Sequence, residues 1–172
     1  MGGEAMFRVN MKCILILCAI FFIGLISSGS AEECQFSCNL SCNTLGPHPA
    51  DTRAKGTIAF QLDESKQELT YKLELQDIKD VYMAHLHVGP SNKQGPIAVW
   101  LYPLHDHGDA QRCIEGEFSG TLAEGVIRPE DLDEDIEFND LIRAMRDGNA
   151  YVNVHTKKYV PGEIRGQVQP SI

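Results

Sequence analysis

The chain has 172 residues, of which 43% are hydrophobic, and a formal net charge of −9 at neutral pH with neutral histidines. This length fits one domain with additional sequence at its N-terminus. The acidic charge argues against nucleic acid or anionic lipid as a partner, because phosphate contacts need a basic surface. Bound cations are the only partner that the charge itself favours.

Residues 1–31, the first segment in chain order, have the pattern of a secretory signal peptide. Arg8 and Lys12 precede an apolar run over residues 13–26, and small polar residues follow up to Ala31. The run is short compared with the roughly 20 residues of a spanning helix, so we expect cleavage near Ala31 rather than a retained anchor. The protein is therefore predicted to be secreted or extracytoplasmic, with a membrane contact only if this segment is retained.

Four cysteines follow the predicted signal peptide. An even number in an exported chain favours two disulfides, for which three pairings exist, and the sequence leaves the pairing open. The alternative is a thiolate metal site, because the four-residue spacing of three of the cysteines would place them on one helical face. We expect disulfides, with one bridge between the N-terminal segment and the last cysteine. The four residues are Cys34, Cys38, Cys42 and Cys113.

The remaining chain is dominated by short strand patterns. Residues 32–54 are polar and interrupted by Gly46-Pro47-His48-Pro49, which predicts a cysteine-containing linker or cap. From Lys55 onward, alternating apolar runs separated by turn residues predict β-strands. Their spacing predicts an all-β fold over residues 55–169, an antiparallel Greek-key sandwich or barrel of about seven to eight strands. The predicted strands cover 56–62, 68–75, 81–88, 96–102, 113–122, 150–156 and 162–168.

One short helix is predicted before the last two strands. Leu141, Ile142 and Met145 form an apolar stripe at helical spacing, which predicts a buried face. Asn139 is a suitable N-cap before the stripe, and Gly148 supplies the C-terminal stop. The helix therefore belongs to the core rather than to a functional site.

Three histidines on two predicted strands are the candidate functional residues. His85 and His87 are two residues apart, and side chains alternate across a strand, so both imidazoles lie on one face. His155 belongs to a second strand with the same alternation. Three such imidazoles can form a metal site for copper or zinc, a buried network bonded to backbone carbonyls, or an interaction surface. The residues alone leave these three interpretations open.

Other chemical signals in the sequence are sparse. His105-Asp106-His107 lies in a predicted polar loop and forms a second candidate set of metal ligands, while His48 is predicted to be solvated. The serines lack a nucleophile-elbow motif, and no glycine-rich phosphate loop is present. Glu115 and Glu117 share one strand face and are predicted to face solvent rather than to form a hydrolytic pair. No catalytic residue is therefore predicted.

Five short motifs follow one another between residues 55 and 168. They are Ala84-His-Leu-His-Val-Gly-Pro90, Gly95-Pro96, Met145-Arg-Asp-Gly148, Asn149-Ala-Tyr-Val-Asn-Val-His155-Thr156 and Pro161-Gly-Glu-Ile-Arg-Gly-Gln167. Together they resemble the CHRD domain, the module repeated in chordin and found singly in many microbial exported proteins. The resemblance implies an extracellular β-sandwich without a settled activity. It also implies a non-enzymatic binding or structural module at the cell surface, whose partner is an extracellular protein or a cell-surface component.

The histidine pattern is also similar, more loosely, to that of Cu/Zn superoxide dismutase. That enzyme pairs a His-x-His strand with a later histidine-containing strand and a downstream arginine. His85, His87 and His155 occupy the matching places here, with Arg165 as the arginine counterpart. The zinc loop of the enzyme has no equivalent, because His105-Asp106-His107 is too compact to match it. The similarity therefore implies a copper- or zinc-binding protein as the alternative function, without dismutase activity.

Overall fold

A computed structural model describes residues 34–45, 49–103 and 113–171, and of Cys34 it describes only the backbone. The predicted signal peptide lies outside the described residues, as do His48 and the loop that contains His105 and His107. In the described part of the chain, no helix is long and apolar enough to cross a membrane.

Eight antiparallel strands form one closed sheet in the described residues. Hydrogen bonding joins them in the order β2-β1-β7-β6-β3-β4, with β5 paired to β3 and β8 paired to β1. A further pairing between β2 and β3 closes the sheet into a barrel, which confirms the predicted all-β antiparallel fold. The strands are β1 Cys34–Cys42, β2 Lys55–Asp63, β3 Glu68–Val88, β4 Ile97–Tyr102, β5 Ile114–Ile127, β6 Ala150–Thr156, β7 Ile164–Gln167 and β8 Gln169–Ser171.

The barrel core is built from residues that alternate along the strands. Exposed and buried residues follow each other with period two along β2 and the first half of β3. Leu73 on β3 pairs with Ile58 on β2, and both are at most 1% exposed. Burying each such side chain contributes roughly 1.5–3 kcal/mol. The same alternation is the signal that predicts these strands from the sequence.

Strand β3 is longer than predicted. The sequence predicts separate strands over 68–75 and 81–88, whereas the structure has one continuous strand of 21 residues. Asp77 and Asp80 adopt φ values of 53° and 54°, in the left-handed region. The pairing of β3 with β5 shifts register around both residues. These bulges keep the strand continuous while bending it.

The bulges in β3 also change which residues face the core. The core residues across the bulges at Asp77 and Asp80 are Leu75, Ile78 and Val81, so these two bulges change the parity twice and together restore it. A third register shift, between Val81 and Met83 in the pairing with β6, makes the next core residues Ala84 and Leu86. This net change of parity transfers the following side chains to the opposite face of the sheet. His85 and His87 consequently point away from the barrel interior.

The segment predicted as a linker or cap contributes a strand instead. Strand β1 pairs with β2 and, at its end, with β7. Phe36, Cys38 and Leu40 are buried and alternate with exposed residues, so the period is two rather than the four-residue spacing of the cysteines. Apolar residues at alternate positions are therefore what places residues 34–42 in the barrel.

The strand geometry of β1 changes the expectation for the cysteines. Residues four apart on a strand are separated by about 13 Å between Cα atoms, which exceeds the roughly 7 Å limit for a disulfide. Neither a helical thiolate site nor disulfides among Cys34, Cys38 and Cys42 fit this geometry. Cys38, Cys42 and Cys113 are free thiols in the structure. The predicted bridge between the N-terminal segment and Cys113 is thus not formed in the structure, and disulfide bonding of this protein stays a prediction.

The predicted helix is present as α1, Phe138–Arg146. It begins one residue before Asn139, with Glu137 at the N-cap position instead. The apolar stripe of Leu141, Ile142 and Met145 is buried, as predicted. Gly148 follows with a φ of 63°, a left-handed conformation typical of a helix end.

Candidate functional site

A second buried layer lies on the outer face of the barrel, opposite the apolar core. All seven residues of β6 are buried, although only alternate ones, such as Val152 and Val154, belong to the core. Their neighbours on β6, together with residues of β3 and β7, form a polar layer in which no side chain is more than 8% exposed. This polar layer consists of His85, His87, Tyr151, Asn153, His155 and Arg165.

Strand register assembles the polar layer. His85 is paired with Asn153 and His87 with Tyr151 across β3 and β6, and Asn153 is paired with Arg165 across β6 and β7. Directly paired side chains have Cβ atoms about 5 Å apart, and diagonal neighbours remain within reach. His155, on the same face of β6 as Asn153, is such a diagonal neighbour of His85. The structure thus brings the three predicted histidines together, with one ligand atom from each within 4.8 Å of the others.

The loop after β3, residues 89–96, covers one side of the polar layer. His87 Nδ1 lies 3.0 Å from the Gly95 carbonyl oxygen, and the Gly95 amide donates to the Tyr151 hydroxyl at 2.9 Å. Arg165 Nη1 donates to two carbonyls of the same loop at 3.1 and 3.3 Å. The Gly95-Pro96 motif therefore serves to hold a histidine.

The loop after β6, residues 157–163, covers the other side. His155 Nδ1 lies 2.7 Å from the Val160 carbonyl oxygen, and Asn153 Nδ2 donates to the Pro161 carbonyl at 3.1 Å. Gly162 has a φ of 114°, and a Cβ there would lie 2.0 Å from Asn153 Oδ1. Only glycine permits this approach at that φ, so the Pro161-Gly162 motif serves to cover the polar layer.

The backbone contacts determine which ring nitrogens carry protons. A carbonyl only accepts, so the Nδ1 atoms of His87 and His155 donate, and their Nε2 atoms hold lone pairs when the rings are neutral. His155 Nε2 then accepts from His85 Nδ1 at 3.1 Å and from Asn153 at 3.2 Å. This assignment leaves the Nε2 atoms of His85 and His87 as buried lone pairs without a hydrogen-bond partner. Buried polar atoms of this kind are rare in folded proteins.

Burial keeps all three imidazoles neutral. Desolvation lowers the pKa of His85 to about 3, aided by His155 and His87. Desolvation also lowers the pKa of His87 to about 4, against the opposing effect of the Gly95 carbonyl. The pKa of His155 shifts in the same direction, again chiefly through burial. Neutral imidazole is the form that binds a metal.

Arg165 adds a positive charge to this neutral cluster. Its guanidinium lies over the Tyr151 ring at 4.2 Å, and its Nε atom has no hydrogen-bond partner. Desolvation lowers its pKa, and the charge in turn disfavours protonation of His87 and His155. No carboxylate pairs with Arg165 among the residues that the structure describes. Within the described residues, the positive charge that Arg165 brings to the polar layer therefore has no carboxylate partner.

The spacing of the histidines can be compared with that of a metal centre. Zinc–imidazole bonds are about 2.0–2.1 Å long, so two nitrogens on one ion are at most about 4.2 Å apart. The observed limit of 4.8 Å exceeds this by about half an ångström. A small rotation of the rings closes that gap, and the three residues are therefore within reach of one ion.

Aromatic rings fix the orientation of two of these imidazoles. Tyr151 stacks on His87 with centroids 4.6 Å apart, and Trp100 meets His85 edge-on at 4.4 Å. Sequence reasoning did not assign Trp100, Tyr151 or Asn153 to the site. For Tyr151 and Asn153 the available sequence signal was strand alternation, because both share the face of one strand with His155.

The other sequence candidates lie apart from this cluster or outside the description. The loop that contains His105 and His107 is not among the described residues. Glu115 and Glu117 are exposed, as predicted, and Lys157 Nζ contacts Glu115 at 3.0 Å. They remain surface groups.

The fold and the site define a class of protein: an antiparallel β-barrel with a histidine-containing polar layer on its outer face. The CHRD domain family matches residues 36–168, which is most of the chain, so the protein belongs to the CHRD domain family. Comparison with curated proteins and with solved structures found no match. The matched range includes residues 36–42 of β1, which lie before the domain start predicted at residue 55.

Proposed function

We propose that this CHRD-domain protein binds one transition-metal ion, copper or zinc, through His85, His87 and His155. The observation that carries the proposal is the pair of buried, unpartnered imidazole nitrogens in a cluster of three histidines, each of which offers one ring nitrogen within 4.8 Å of the others. Copper and zinc are among the ions that a set of neutral imidazoles suits. The carbonyls of Gly95 and Val160 accept hydrogen bonds from Nδ1 of His87 and His155. In metal sites, contacts of this kind orient the histidine ligands.

We also propose that the protein acts outside the cytoplasm as a non-enzymatic binding module, with an extracellular protein or a cell-surface component as its partner. The signal-peptide pattern of residues 1–31 supports export. Membership of the CHRD family supports a binding or structural module. Metal occupancy would then set the stability of the two loops that cover the polar layer.

The metal proposal is tested by titration with copper or zinc. Trp100 is the only tryptophan in the chain and contacts His85, so its fluorescence reports an ion at the site. We expect saturation at one ion per chain. His155→Gln should lower the affinity by about 100-fold or more, since removal of outer contacts alone costs 10–100-fold.

Tyr151→Phe is the matched control for this titration. It removes the hydroxyl that accepts from Gly95 but keeps the ring beneath His87 and all three ligands. We expect it to bind metal within about tenfold of the unmodified protein. Equal affinities for the unmodified protein and for His155→Gln would contradict the proposal and leave the histidines as a structural network.

A further inference from the structure

Met83 lies beside the histidine cluster on strand β3. It is directly paired with His155 in the register between β3 and β6. Residues paired in this way project from the same face of a sheet, with Cβ atoms about 5 Å apart. The side chain of Met83 therefore starts on the outer face, within reach of the His155 ring.

A bulge before Met83 reinforces this placement. Val81 pairs with Thr156 and Met83 with His155, so Tyr82 is an extra residue on β3. The Tyr82 ring lies 6.3 Å from the His155 ring, which places Tyr82 on the outer face as well. Ala84, the next residue, belongs to the core. Alternation then places Met83 on the same face as His85.

Met83 is more exposed to solvent than the three histidines. The three histidines are at most 8% exposed, whereas Met83 is only partly buried. Met83 is therefore the most solvent-accessible of these four residues. A thioether at this position can contact an ion as it enters and can remain as a fourth ligand.

The charges around the cluster limit the ion that it can hold. In the described part of the chain the cluster contains no carboxylate or thiolate, so none of these residues neutralises a bound cation. Arg165 adds a further buried positive charge, which acts on His87 and His155. The desolvation cost of an ion rises with the square of its charge. A singly charged ion therefore fits this site better than a doubly charged one.

We propose that the Met83 thioether completes the three-histidine site and that the site selects copper(I) over divalent zinc and copper. Thioether sulfur is a soft ligand and favours copper(I). The low net charge of the same ion suits a site without an anionic ligand. This inference rests on the proposed three-histidine metal site and specifies the ion and the fourth ligand.

Competition titrations with chromophoric chelators test the selectivity. Copper(I) is measured anaerobically under reducing conditions, and zinc is measured in parallel. We expect copper(I) to bind at least tenfold more tightly than zinc. Met83→Leu should weaken copper(I) binding at least tenfold and change zinc binding less than twofold. Met145→Leu is the matched control, because Met145 is buried in α1 and should leave both affinities unchanged.

X-ray absorption of the copper(I) protein gives an independent readout. We expect a sulfur scatterer in the first shell of the unmodified protein and of Met145→Leu, and none in Met83→Leu. Tighter binding of zinc, or a sulfur signal unchanged in Met83→Leu, would overturn the inference. If His155→Gln abolishes binding while Met83→Leu has no effect, the three-histidine site stands and only the role of Met83 fails. If the unmodified protein binds neither ion, both fail.

Discussion

Burial and backbone contacts together hold the three imidazoles neutral and in fixed orientations, as the proposed metal site requires. Each of His87 and His155 donates from Nδ1 to a carbonyl, which fixes the ring and leaves Nε2 as a lone pair. Desolvation keeps the rings uncharged, so no proton competes for that lone pair near neutral pH. This arrangement lowers the stability of the metal-free fold, because the fold buries polar atoms that have no hydrogen-bond partner.

In the metal-free protein, stability should fall as the pH drops below about 6.5. The pKa of His85 is lowered from 6.5 to about 3 and that of His87 to about 4. Between these values the unfolded chain binds more protons than the folded one. The contribution is fully present above pH 6.5 and is lost as the pH falls through the folded pKa values. Each histidine changes the free energy of unfolding by up to about 1.4 kcal/mol per pH unit.

Urea unfolding at pH 7, 6 and 5 measures this dependence. His87→Gln removes one titrating ring and retains an amide that can donate to the Gly95 carbonyl. We expect a shallower loss of stability with acidification in this variant. Parallel curves for the two proteins would contradict the assignment of His87 as a buried neutral group.

Cys38 should resist alkylation in the folded, reduced protein. Burial raises the pKa of its thiol to about 12, and the thiolate is the reactive form. Cys42 and Cys113 are less buried. Mass spectrometry after iodoacetamide treatment should find Cys42 and Cys113 labelled first and Cys38 labelled only in urea. Labelling of Cys38 as fast as Cys113 would contradict the burial of the Cys38 side chain in the barrel.

At the scale of elements, the two loops over the polar layer depend on glycine at specific positions. A Cβ at Gly95 would lie 2.0 Å from the Val88 carbonyl oxygen. Gly95→Ala should therefore displace the loop together with the carbonyl that orients His87. We expect a loss of about 2–3 kcal/mol in stability and a metal affinity lowered by about 10–100-fold.

Gly116→Ala provides the comparison for Gly95→Ala. Gly116 has a φ of 83°, and nothing lies within 4 Å of a Cβ there. Its substitution should cost about 1–2 kcal/mol through backbone strain alone and leave metal affinity unchanged. Chemical denaturation and the Trp100 titration measure both effects. Equal metal affinities in the two variants would contradict the role of the loop.

The strands and loops that build the site could be predicted from the sequence only in part. Alternation identified the core of β3 and placed His85 and His87 on one face. It could not show that the bulge at Tyr82, after those at Asp77 and Asp80, turns that face outward, because no side-chain pattern encodes a change of parity. Strand β1 was not predicted, because the four-residue spacing of the cysteines indicated a helical face. The apolar residues Phe36, Cys38 and Leu40 nevertheless alternate with a period of two, which is typical of a strand. Loop carbonyls such as those of Gly95 and Val160 have no side-chain signature.

At the scale of the whole molecule, the barrel positions the residues of the site but does not determine an activity. Closed β-barrels serve many unrelated roles, so function must be argued from the site. Here the family motifs, which lie far apart in sequence, meet in one polar layer: His85 and His87 on β3, Gly95 in one loop, His155 on β6 and Arg165 on β7. Family membership and the candidate site are therefore properties of the same residues.

Metal binding should stabilise the whole barrel. An ion present at 100 times its dissociation constant adds about 2.7 kcal/mol to the free energy of unfolding. For a domain of this size, that corresponds to a rise in Tm of roughly 5–10 °C. Thermal unfolding with and without metal measures the shift, and a chelator should reverse it. A comparable rise in His155→Gln would place the ion elsewhere.

The three-histidine metal site is tested most directly by anomalous diffraction from crystals of the metal-loaded protein. We expect one anomalous peak in the polar layer, with His85, His87 and His155 each contributing a nitrogen about 2.0–2.1 Å from the ion. A metal-loaded crystal with no peak between the three rings, or with its peak at other residues, would contradict the three-histidine site.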